Sequence, residues 1–154
     1  MDENIKGRQV VISIESICDC DSRDASTIEF STDGLYRYDE ASGKGSFMYY
    51  ESEVTGMAGT RTTVTVSGED VQVEREGMIN GSLQFKPGLR DQFLYNTPYG
   101  TAILGIQTRR LQQSFDSHGG DMEIDYVLNL ERVTTSKNRF KVNVKEIRNT
   151  GVFQ

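Results

Sequence analysis

Along most of the chain, apolar and polar residues alternate with a period of two. That is the pattern of strands that bury one face and wet the other. Val10, Ile12 and Ile14 share one face of a first run that ends near Cys18, with Ser13 and Glu15 opposite. A second run spans Thr27 to about Tyr38. Asp33-Gly34 interrupts it, and a bulge or bend is expected there because glycine accepts positive φ. After the Ala41-to-Gly45 turn comes a run with three aromatics, Phe47, Tyr49 and Tyr50. A Thr- and Val-rich run from Thr60 to Ser67 follows, then Val71 to Glu76. Next, Ile79, Gly81, Leu83 and Phe85 alternate with Asn80, Ser82 and Gln84. Lys86 to Asp91 is irregular and leaves room for a short helical turn. Gln92 to Tyr95, a break at Thr97-Pro98-Tyr99-Gly100 and a long run from Thr101 to Phe115 come next. The cleanest alternations are the last two: Met122, Ile124, Tyr126, Leu128 and Leu130, then Phe140, Val142 and Val144.

No convincing helical stripe longer than about ten residues competes with this pattern. The expected fold is therefore all-β. Nine or ten short-looped strands must curl or split to hide their edges. Sequential hairpins favour an up-and-down antiparallel barrel over Greek-key crossings, which need longer connections. The 154 residues fit one domain, residues 1–154, with a short flexible N-terminus over about residues 1–8. Parity is left open in two places, through Asp33-Gly34 and across Gly105, where a one-residue slip would turn inward side chains outward.

Composition narrows the function classes. Apolar residues make up 36% and charged residues 26%, as in ordinary soluble proteins. No apolar run is long enough for a membrane helix. The start, Met1 to Lys6, is polar and acidic without a secretory pattern, so the cytoplasm is the expected location. A net charge of −6 argues against nucleic acid as the partner. Arg109, Arg110, Arg139, Lys141 and Lys145 would have to gather into a stripe to defeat that argument, and scattered surface charge is the ordinary outcome. Cys18 and Cys20 lie two apart on a strand, about 7 Å along it, a geometry that favours two free thiols. The lone histidine, His118, sits in a Gly-rich turn, so neither a Ser-His-Asp or Cys-His site nor a metal cluster is expected. Asp19, Asp21 and Asp24 form an acidic loop that lacks the spacing of a calcium loop and reads as a solvated turn. The expectation is a non-enzyme without cofactor or metal.

Several motifs in order carry a family likeness. They are Tyr49-Tyr50-Glu51, Thr63-Val64-Thr65-Val66, Arg75-Glu76-Gly77 and Leu83-Gln84-Phe85. Tyr95-Asn96-Thr97-Pro98-Tyr99-Gly100 follows, with Thr108 and Leu111, the Gly120 turn and Tyr126-Val127-Leu128. From about Val10 to Val144 the chain resembles the YwiB-like family of uncharacterised bacterial proteins. That resemblance implies a calycin-like (lipocalin-like) β-barrel of about 8–10 strands and no established activity. Such barrels often hold small apolar ligands, an analogy of fold alone. Cys18-Asp19-Cys20-Asp21 and Arg109-Arg110-Leu111-Gln112-Gln113 depart from the family pattern.

Alternation also places polar residues on apolar faces. Arg75 shares parity with Val71 and Val73, Glu51 with Phe47 and Tyr49, Thr108 with Leu104 and Ile106, and Tyr126 with Ile124 and Leu128. A charge inside a barrel must be paired or hydrogen-bonded. One reading makes Arg75, Glu51, Tyr126 and Thr108 anchors for a small apolar or anionic ligand, walled by Phe47, Leu83, Phe85 and Leu104. The other makes Arg75–Glu51 an internal pair in a filled barrel, the usual state of narrow barrels. The protein would then work as an interaction module, through a homodimer or through a protein partner on the Arg109/Arg110 stretch. Tyr99, with Tyr95, is a candidate lip over the barrel mouth. A β-corner made by Pro98 and Gly100 is the plainer account.

Overall fold

Ten antiparallel strands form where the two-residue pattern puts them. They are β1 (Arg8–Asp19), β2 (Ala25–Asp39), β3 (Lys44–Tyr50), β4 (Thr60–Ser67) and β5 (Asp70–Gly77), followed by β6 (Asn80–Phe85), β7 (Arg90–Thr97), β8 (Gly100–Asp116), β9 (Gly119–Leu130) and β10 (Thr134–Glu146). The computed structural model describes residues 7–19, 25–130 and 134–147. Each strand pairs with its neighbours in sequence, and β1 pairs with β10 from Val10↔Glu146 to Asp19↔Lys137, so the sheet closes on itself. The expected up-and-down barrel is what forms. Among the described residues there is no helix, and so none long and apolar enough to cross a membrane.

The inward faces build one core. Val10, Ile12, Val64, Val66, Val71 and Ile124 are almost wholly buried within it. At the end carrying the β2–β3 and β8–β9 turns, called lower here, aromatic rings fill the bore. Tyr38, Tyr36, Phe115, Phe47 and Tyr49 follow one another at centroid spacings of 6.0–6.5 Å. The Tyr36 hydroxyl donates to the Asp116 carbonyl at 2.7 Å, which ties off the lower end. Arg75, Glu51 and Tyr95 come from strand segments near the opposite, upper end.

Three local expectations are corrected, and the parity left open at Gly105 is resolved. Gly34 makes no bulge: the β1–β2 register runs unbroken from Arg8↔Tyr36 to Asp19↔Ala25. Glycine is needed there because a Cβ would lie 2.4 Å from Ile12 Cδ1 and 2.5 Å from the Met48 carbonyl oxygen. Parity also survives Gly105. It slips instead between Thr108 and Arg110, where Arg109 is an extra residue in the β8–β9 ladder. That bulge keeps both Thr108 and Leu111 buried although they are three apart. Lys86 to Asp91 is a turn and no helix, closed by the Leu89 N–H donating to the Lys86 carbonyl at 2.8 Å. Cys18 is disulfide-bonded, so it is no free thiol. Cys20, Asp21 and Asp24 lie outside the described residues.

One seam is loosely joined. β6 and β7 pair only at Asn80↔Asn96 and Gly81↔Tyr95. Below that the strands splay, and the connection between them bonds to β8 instead. Gly88 N–H donates to the Thr108 carbonyl at 3.1 Å, and Thr108 N–H donates to the Leu89 carbonyl at 3.0 Å.

Candidate functional site

Arg75 is carried into the barrel by the inward parity of Val71 and Val73 on β5, and Glu51 by that of Phe47 and Tyr49 at the end of β3. They meet near the upper end. Arg75 Nε lies 3.6 Å from Glu51 Oε2, with the Glu51 side chain fully shielded and that of Arg75 13% exposed. At that separation the two are joined mainly through Thr62. Its hydroxyl accepts from Arg75 Nε at 3.2 Å and donates to Glu51 Oε2. The other carboxylate oxygen accepts from the Thr55 hydroxyl at 2.9 Å. Thr55 belongs to the compact β3–β4 loop, which starts where the Glu51 N–H donates to the Thr60 carbonyl at 2.8 Å.

Tyrosines surround the cation. Arg75 Nη1 donates to the Tyr95 hydroxyl, and the guanidinium carbon sits 5.7 Å from the centre of the same ring. Burial disfavours the charge on Arg75, but Tyr95, Tyr49 and Glu51 outweigh it and raise its pKa. Burial raises the Tyr49 phenol, and the neighbouring Glu51 carboxylate adds to the effect. Burial pushes the Tyr126 phenol up to about 12, with Arg75 pulling the other way. The Tyr126 ring rests on Phe85 at 4.9 Å between centroids.

A guanidinium has five N–H donors. Nε and Nη1 of Arg75 bond to Thr62 and Tyr95, and the Tyr49 hydroxyl also interacts with the guanidinium; Nη2 makes no hydrogen bond of ordinary geometry among the described residues and is not sealed from solvent. The same holds for the Tyr126 hydroxyl. Two polar groups that feel each other's charge therefore keep unused hydrogen-bonding capacity inside the barrel.

Of the residues expected here, Arg75, Glu51 and Tyr126 come together. Thr108 is buried but otherwise engaged: its hydroxyl accepts from the Lys86 N–H at 3.3 Å and helps fasten the β6–β7 connection. Tyr99 is not in the interior. It is 98% exposed on the two-residue turn between Thr97 and Gly100, which form the last pair of β7 and β8. A hairpin, neither a lip nor a corner, occupies that position, and Gly100 takes its positive φ of 124°. Tyr49 and Thr62 belong to the cluster although the sequence does not mark them as site residues, and so does Tyr95, which is expected from sequence only as part of a lip. Parity with Glu51 pointed to Tyr49, and parity with Val64 and Val66 pointed to Thr62. Tyr95 had no such signal, because its run is too short to set a face.

The outer wall carries further concavities. One of about 700 Å³ lies over β1, β2, β8, β9 and β10 and is lined by Glu15, Glu29, Asp121, Glu123 and Lys141 among others. Another of about 320 Å³ gathers Arg109, Lys137 and Arg139 with Asp19 and Asp125. The cations are not a continuous basic stripe. Arg139 lies 2.8 Å from Asp125 and 3.3 Å from Glu123, and Lys141 is 3.9 Å from Glu15.

Comparison with known proteins agrees with this architecture. Residues 12–142 match the family model described as Domain of unknown function (DUF1934). The crystal structure of the ywiB protein from Bacillus subtilis superposes with a TM-score of 0.82 at 21% identity, covering 96% of this chain and 99% of that one. The likeness read from the motifs is thus upheld, and at this identity it speaks for the fold. No curated protein matches.

Proposed function

We propose, for a chain that belongs to the family described as Domain of unknown function (DUF1934), a non-enzymatic role: the barrel binds a small molecule at the polar upper part of its interior. The observation that carries this reading is that Arg75 and Tyr126, both carried into the barrel interior and near enough for Arg75 to act on the Tyr126 phenol, each keep hydrogen-bonding capacity that no described residue uses. Buried donors are nearly always satisfied, so a pair left open but accessible is where a ligand gains most. Arg75 is the anchor, Tyr126 the second polar contact, and Phe85 an apolar wall beside it. Thr62 and Glu51 hold the guanidinium in place. The cytoplasm remains the compartment proposed from the sequence. The disulfide at Cys18 weighs against it, because reducing compartments keep thiols reduced.

Native mass spectrometry of protein purified gently from its own cells tests the proposal. A reproducible extra mass that disappears on denaturation is expected, and Arg75→Met should reduce its occupancy. A clean apo mass would remove the ligand reading. One observation favours a second reading, a filled barrel that meets a protein partner: the concavities described above lie on the outer wall. The bulged Arg109, beside Lys137 and Arg139, is then the contact to mutate first.

A further inference from the structure

Resting on the ligand-binding reading, we infer that the interior site takes an uncharged apolar molecule bearing a hydrogen-bond acceptor, such as a ketone or amide carbonyl, in preference to an anion. The reason is that the countercharge is already built in. Glu51 lies 3.6 Å from Arg75 Nε, and each of its oxygens accepts a threonine hydroxyl, Thr55 on Oε1 and Thr62 on Oε2. Arg75 and Glu51 together are neutral. A carboxylate or phosphate at the free Nη2 edge would leave one net negative charge in the bore, close to Glu51 and poorly solvated. A carbonyl oxygen accepts the same Arg75 N–H and the Tyr126 O–H without adding charge. The surroundings suit its apolar remainder: Phe85 packs on Tyr126, the Tyr95 ring lies against the guanidinium, and the rings of Tyr49 and Phe47 give the site an aromatic floor.

A matched pair of fluorophores tests this on the full chain. One is acetyl-dimethylaminonaphthalene, a neutral ketone; the other is dimethylaminonaphthoate, with a carboxylate on the same ring system. Titrations followed by emission are expected to show the ketone binding at least about tenfold more tightly. Glu51→Gln, which removes the built-in negative charge together with part of what holds Arg75, should shift the ratio of carboxylate to ketone affinity toward the carboxylate by about tenfold, whatever it does to both probes in common. Tyr126→Phe, which keeps the ring packing, should weaken the ketone by about threefold or more. Arg75→Met should weaken it further. If the carboxylate binds as well as the ketone and both respond to Tyr126→Phe, the neutral-ligand inference falls while the site stands. If neither probe binds, or neither responds to Tyr126→Phe or Arg75→Met, the site itself falls, and the inference with it.

Discussion

Tyr126 gives the residue scale its clearest consequence. Burial holds its phenol up at about 12 in the folded protein, while an unfolded tyrosine ionises near pH 10. Tyr36, Tyr49 and Tyr95 are raised for the same first reason, desolvation. Above about pH 10 the unfolded chain has lost these protons and the folded chain still holds them. By linkage, stability is fully present below that pH and falls as pH rises from about 10 to 12. Urea midpoints at about pH 8, 10 and 11 should be flat over the first interval and drop over the second. Replacing Tyr126 by Phe should make the drop shallower. An alkaline limb unaffected by that change would mean that the Tyr126 phenol ionises alike in both states. At this scale much was legible. Arg75 and Glu51 stand on apolar faces, so their burial and mutual need follow from alternation alone. Tyr99 was not legible, because a residue at the tip of a two-residue turn belongs to neither face.

Arg109 acts at the scale of the element. Its side chain is exposed, yet its backbone position sets the facing of everything after it in β8. Arg109→Ala should change stability by less than about 0.5 kcal/mol, as surface substitutions usually do. Deleting Arg109 should also be mild, because it removes the extra residue and leaves Thr108, Arg110 and Leu111 in plain alternation, with Thr108 and Leu111 still facing inward. Deleting Arg109 and Arg110 together should be far worse, because it sets Thr108 next to Leu111 and turns one side of the join outward. Truncating one buried Leu alone costs about 2–5 kcal/mol, so the double deletion should cost at least that, or abolish folding. Chemical denaturation of the three variants checks the contrast; a double deletion as mild as the single one would show that the facing of β8 does not depend on this register. The sequence run Thr101 to Phe115 reads as one strand, and one strand it is. The slip inside it is invisible to pattern, since Arg109 and Arg110 are both polar and either one can be the extra residue.

For the whole molecule, the consequence lies in how the barrel closes. The β1–β10 closure is long, whereas β6 and β7 share two paired positions before they part. Amides on the facing edges of residues 82–85 and 91–94 therefore lack ladder partners across the seam. Hydrogen exchange should be at least about tenfold faster at those amides than along the β8–β9 ladder. Equal protection would mean that the seam closes in solution. The same opening explains why Thr108 and the 86–89 connection bond to each other: that connection fastens β8 where β7 has moved away from β6.

What the sequence determined by itself was the class of fold and the content of its interior. A period of two, frequent glycine punctuation and short connections leave little but a meander of strands, and a meander of ten must close. Parity then sends Arg75, Glu51 and Tyr126 inward. Only the tertiary structure decided which of these meet, because contact across a bore depends on strand stagger and tilt, which no single strand encodes. It brought Tyr95 to Arg75, set Thr62 between Arg75 and Glu51, spent Thr108 on the seam and left Tyr99 in solvent. It also left one edge of Arg75 without a hydrogen bond of ordinary geometry among the described residues. An unused donor is a property of three-dimensional packing, which is why the sequence could name Arg75 as a candidate anchor and only the closed barrel could show which of its edges stays open.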